Sequence, residues 1–117
     1  MKKLTILAAT LGALFLNAAQ AQPFDYPMGP AQCAERAFRI PGMIRKHSID
    51  LCTGATNTAP LNCYLKVSNI DNGILKVQAI ELCASSTSSL KTLACYSDAW
   101  STGVYRAAAI KLCKSQR

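Results

Sequence analysis

The chain has 117 residues and a mass of 12.6 kDa, with 13 Lys and Arg against 6 Asp and Glu for a formal charge of +7. That length holds one small domain and excludes a multidomain enzyme. Half of the residues are hydrophobic and 16% are charged, which excludes a disordered acidic tail and a collagenous or low-complexity chain. One histidine and six cysteines narrow the catalytic options further.

Residues 1–21 read as a secretory signal peptide. Lys2 and Lys3 form a positive start, Leu4 to Leu16 is apolar and uncharged, and Ala19-Gln20-Ala21 supplies the small-x-small cleavage pattern. A transmembrane anchor is the alternative, but the apolar run is about 13 residues where a span needs about 20. The mature chain, 22–117, is therefore expected without a membrane-spanning segment, in a periplasm or secreted. Lys2 and Lys3 leave with the signal, so 13 basic residues become 11 against 6 acidic, a balance of +5. Residues 22–30 contain three prolines and two aromatics and read as an extended N-terminal arm that frays, a docking arm being the alternative.

The remainder, 31–117, repeats itself. Gly42 to Cys52, Gly73 to Cys83 and Gly103 to Cys113 align without gaps, each with Ile and Leu at the same two places and a basic residue three after the glycine. A further cysteine leads each unit: Cys33, Cys63 and Cys95. The units cover about 31–53, 60–84 and 90–114. After each glycine the series Ile44, Ser48, Leu51, Cys52, then Leu75, Ala79, Leu82, Cys83, then Tyr105, Ala109, Leu112, Cys113 has helical spacing. A second, leading helix is expected around each first cysteine. Pro30 and Pro60 stand where a first helical turn tolerates proline, and Gly42, Gly73 and Gly103 end or turn that helix. The linkers between units are polar and do not resemble strands. The expected fold is all-α: three tandem helical hairpins in a short repeat array.

Six cysteines in an exported domain of this size read as a disulfide framework. A structural zinc site would require close Cys-x-x-Cys pairs, whereas the shortest spacing here is Cys52 to Cys63. In an antiparallel hairpin, residues equidistant from the turn face each other. The midpoints of Cys33 and Cys52, Cys63 and Cys83, and Cys95 and Cys113 all fall on or beside the glycines, which favours one bridge within each hairpin. Bridges across the linkers, Cys52–Cys63 and Cys83–Cys95, are the rival pairing and would leave Cys33 to Cys113.

The Ala-Ile-x-Leu-Cys pattern, followed by a Ser/Thr/Ala linker and a cysteine opening the next unit, resembles repeats of small secreted bacterial proteins. The resemblance spans Cys33 to Cys113 and implies export and repetition, and no activity. Saposin-like proteins differ in cysteine spacing. Plant lipid-transfer and albumin-type proteins carry Cys-Cys and Cys-x-Cys, which do not occur here.

His47, with Asp50 three residues on, is the one place for a general base or a metal ligand. Its aligned positions are Gln78 and Ala108, and no nucleophile motif or phosphate loop accompanies it. A solvent-facing histidine is the plainer reading. No enzyme, no cofactor and no metal is expected. The repeated cation is Arg45, Lys76 and Arg106, with Arg36 and Lys66 as a second partial row that Asp98 breaks. These five read either as helix-end and surface charges or as a face for an anionic envelope component. Export without an aromatic-basic motif argues against nucleic acid. Tyr64, Tyr96 and Trp100 read as core aromatics or as an apolar contact for a protein partner. The sequence reading is thus a non-enzymatic binding or structural module facing an anionic envelope surface, the alternative being an effector or inhibitor that binds a protein.

Overall fold

The computed structural model describes residues 24–114, and the expected signal peptide lies outside them. Six helices form among these residues: α1 Pro30–Phe38, α2 Arg45–Cys52, α3 Ala59–Val67, α4 Lys76–Cys83, α5 Ser89–Ser101 and α6 Arg106–Cys113. They pair as three hairpins, as expected, and none is long and apolar enough to cross a membrane. Proline opens α1 and α3, where the missing N–H leaves no bond unmade. The third unit has no such proline, and α5 begins instead at Ser88, whose Oγ accepts from Lys91 N–H at 3.3 Å.

Each hairpin is closed at its open end by its own bridge: Cys33–Cys52, Cys63–Cys83 and Cys95–Cys113, each with Cα atoms 5.5 Å apart. The symmetry about the glycines therefore selects the pairing, and the bridges across the linkers are not formed. Helices of eight or nine residues are marginal alone in water; the bridge at one end and the turn at the other hold each pair together.

The second helices stack in series, α2 on α4 on α6, and α3 packs on α5. Between these layers lies one continuous core containing Cys33, Ala37, Leu51, Val67, Leu82, Tyr96 and Ile110. The described part of the arm, 24–30, is docked on the domain. Met28 N–H donates to the Thr56 carbonyl at 3.1 Å, Thr58 N–H donates to the Tyr26 carbonyl at 2.8 Å, and Tyr26 N–H donates to Thr58 Oγ1 at 2.8 Å. The Asp25 carboxylate accepts from Asn62 Nδ2 at 2.9 Å, and from Ser89 N–H and Ser89 Oγ at 3.0 and 2.6 Å. One side chain from the arm thereby caps the start of α5, where the helix dipole favours negative charge, and ties three segments together. The partners come from the first linker, from α3 and from the start of α5, and no periodicity in the arm announced them.

The three turn glycines do not share one reason for being glycine. Gly42 and Gly103 have φ of +81° and +86°, a region that a Cβ disfavours. Gly73 has no such backbone. A Cβ there would instead sit 2.8 Å from Nη2 of Arg106, inside any allowed contact, so this glycine makes room for a side chain of the next unit.

Candidate functional site

The repeated cations do not form a free ladder. Lys76 donates its Nζ to the carbonyl of Gly42, in the turn of the preceding unit. Arg106 likewise reaches back one unit, donating from Nε to Asp71 Oδ2 at 2.6 Å and from Nη2 to Asp71 Oδ1 at 2.7 Å. No unit precedes Arg45 among the described residues, and its guanidinium lies over the Phe38 ring at 4.1 Å. Two of the three are thus staples between repeats, each joining a second helix to the turn before it.

Asp71 is the centre of the stronger staple. It is buried, with its side chain 1% exposed, and also accepts from the Tyr96 hydroxyl at 2.7 Å and from Gly73 N–H at 3.1 Å. A buried carboxylate is tolerated only when paired and hydrogen-bonded, and four donors meet that need here. The hydrogen bonds from Arg106 hold its carboxyl down to about 2, against the opposing effect of burial. Tyr96 is pushed up to about 12, first by burial and then by its hydrogen bond to Asp71. The Arg106 guanidinium is raised by the same pair and lies 5.5 Å from the Trp100 ring, which stacks on Tyr96 with centroids 6.1 Å apart. Tyr96 is therefore a core residue, fully buried, and is removed from any contact surface. Asp71 is absent from the repeat pattern, since Ile40 and Ser101 stand at its aligned positions; its place two residues before Gly73 gave no sign of its role.

The other sequence candidates are dispersed. Tyr64 is half-buried, and burial raises its hydroxyl. Lys66 stands over the Phe24 ring at 4.9 Å, on the side of α3 crossed by the arm. Arg36 is exposed on α1, beside Glu35 and Arg39 in a shallow depression. His47 and Asp50 do not pair: Asp50 accepts from Lys46 at 2.8 Å, and Nδ1 of His47 is buried without a hydrogen-bond partner among the described residues. Nor do any three His, Cys, Asp or Glu side chains among the described residues gather in a way that could hold a metal.

What the repeats do present is apolar. Ile44, Leu75 and Tyr105 open the helically spaced series, but each is the residue before its helix, in extended backbone with ψ of 160°, 154° and 155°. That conformation swings the side chain outward, leaving the three 51%, 64% and 73% exposed. In the second unit Gln78 Oε1 accepts Leu75 N–H at 3.0 Å and fixes this geometry. The second helices stack in series, about 8–10 Å apart, so these equivalent positions follow one another along the turn edge, with exposed Trp100 beside Tyr105. At the third turn, Trp100, Gly103, Val104, Tyr105 and Arg106 line an open depression of about 380 Å³.

Replacing Gly73 by alanine tests whether this edge depends on the staple behind it. The added Cβ must push the Arg106 guanidinium against its paired bonds to Asp71, so Gly73→Ala is expected to lower thermal stability by about 1 kcal/mol, the low end for overpacking because a side-chain tip can give. Combined with Arg106→Ala, which empties the contested space, the further loss should vanish in a double-mutant cycle followed by thermal unfolding.

No family model matches this chain, and neither does any curated protein or any solved structure.

Proposed function

We propose that the protein is a non-enzymatic binding module, exported from the cytoplasm, that holds the turn edge toward a protein partner. The observation carrying this reading is the row Ile44, Leu75 and Tyr105, exposed at one position in all three repeats. Apolar side chains scattered singly are ordinary on a surface, but a row of them on a disulfide-fixed frame is what apolar recognition uses. A rigid frame also lowers the ordering cost of association. The non-catalytic reading is supported by where the largest pKa shifts lie, since Asp71, Tyr96 and Arg106 serve one structural network. An anionic envelope component draws less support than a protein, because Lys76 and Arg106 are engaged between repeats.

Affinity capture from isolated envelope and periplasmic fractions tests this. Binding of one protein species is expected to persist at about 1 M salt, where charge–charge attraction is screened beyond about 3 Å, and to fall at least tenfold in Leu75→Asp, Tyr105→Asp. The comparison variant Arg36→Gln, Arg45→Gln, Lys66→Gln should bind as the parent does. Salt-labile binding to envelopes that is lost in the charge variant and kept in the apolar one would overturn the proposal.

A further inference from the structure

The two ends of the repeat array are the two halves of its own internal interface. The position occupied by Ile49, Ile80 and Ile110 is 52%, 7% and 2% exposed in successive units. It is buried only where a unit precedes it. The position occupied by Leu51, Leu82 and Leu112 is 0%, 0% and 57% exposed, so it is buried only where a unit follows. The repeated cation obeys the same rule: Lys76 and Arg106 bond the turn of the preceding unit, and Arg45 has none to reach.

We infer that a second copy of this chain stacks head to tail on the first, its α2 lying against α6 as α4 lies on α2 and α6 on α4. The two end surfaces suit that occupant. Pro30, Ala31, Ala34 and Ile49 line an apolar groove of about 210 Å³ at one end, while Tyr105, Ala108 and Leu112 line a depression of about 440 Å³ with Lys111 at the other. Repeat arrays ordinarily close such ends with polar capping units; here Ile49 is exposed at one end and Leu112 at the other. In the stacked pair Ile49 of one copy covers Leu112 of the other, and Arg45 reaches the carbonyl of Gly103, the counterpart of Gly42. The interface is heterologous, using different surfaces on the two copies, and so can propagate beyond two. Each added copy extends the row of Ile44, Leu75 and Tyr105, although the stacking itself does not depend on what that row binds.

Sedimentation of the oxidised chain, recovered after export, measures this directly. Its weight-average mass is expected to rise with concentration, up to about 1 mM, the weak end of measurable affinity. Ile49→Glu and Leu112→Glu each block one end and should each stay at the mass of one chain. Both sites are exposed, and circular dichroism with a free-thiol assay verifies that the fold and bridges persist. Mixed in equal amounts, the two variants retain one intact end each, and a discrete species of twice the single-chain mass is expected with no growth beyond it. A parent protein that holds the mass of one chain throughout would overturn the inference. So would a single variant that still self-associates, or a mixture that forms no pair.

Discussion

Reduction of the three disulfides is expected to unfold this protein completely at room temperature in the absence of denaturant. Each bridge closes a loop of 18 to 20 residues, and the chain-entropy treatment assigns roughly 3 kcal/mol to a loop of that length. Three such contributions together are comparable with the total stability of an ordinary small domain, about 5–15 kcal/mol. Little else could compensate, because five of the six helices have eight or nine residues and such segments do not hold helical structure alone. Far-ultraviolet circular dichroism should therefore fall to a coil-like signal with excess reductant and recover on reoxidation. The three single-bridge knockouts, each with both cysteines changed to serine, need not be equal. Loss of Cys33–Cys52 should be the mildest, since α1 packs chiefly on its own partner α2 and an end unit has only one neighbour. Loss of Cys63–Cys83, in the central unit, should be the most damaging. A reduced protein that keeps its helical signal and unfolds cooperatively would refute the argument.

The second large effect is expected at Asp71. Changing it to alanine leaves the buried Tyr96 hydroxyl without its acceptor, which costs about 1–3 kcal/mol, and also removes the paired bonds from the partly exposed Arg106. For a domain of this size that corresponds to a fall in Tm on the order of 10 °C. Asp71→Asn keeps the shape and an acceptor for Tyr96 while removing the charge, so it should cost less than the alanine. The pH dependence separates charge from shape. The folded carboxyl titrates near 2 and the unfolded one near 3.8, so the unfolded chain takes up the proton first as the pH falls. The stabilisation is complete above pH of about 4 and declines through the interval down to about 2. Tyr96 acts at the other extreme: with its folded value near 12 against 10.0, stability declines as the pH rises between those values. Thermal unfolding of parent and Asp71→Asn from acid to neutral pH should show the acid-side loss in the parent and a much flatter profile in the variant. Parallel profiles would mean that Asp71 contributes no linked proton.

Much of this architecture was legible before any coordinates. The gap-free alignment of three Gly-to-Cys segments marked the hairpins, and the centring of each cysteine pair on its glycine identified the bridges that form. Both inferences work because they depend on local periodicity and on the symmetry of a hairpin, which a linear pattern records. The surface was less legible. Ile44, Leu75 and Tyr105 had helical spacing with the residues that follow, yet each stands one residue before its helix and is exposed to solvent.

The contacts between units were beyond the reach of the pattern. A repeat shows that Arg45, Lys76 and Arg106 are equivalent, but it does not show which neighbour each one meets. Their partners lie 34 and 35 residues away for Lys76 and Arg106, and for Arg45 the place of a partner turn falls outside the array. Asp71 carried no helical or repeat signature, and became a buried centre because stacking brings Arg106 and Tyr96 to it from the third unit. The identity of each hairpin follows from residues near one another in the chain, where spacing and turn chemistry act directly. Burial, charge pairing and the two exposed ends follow from how far one hairpin is offset against the next, a quantity set by side-chain packing across the stack.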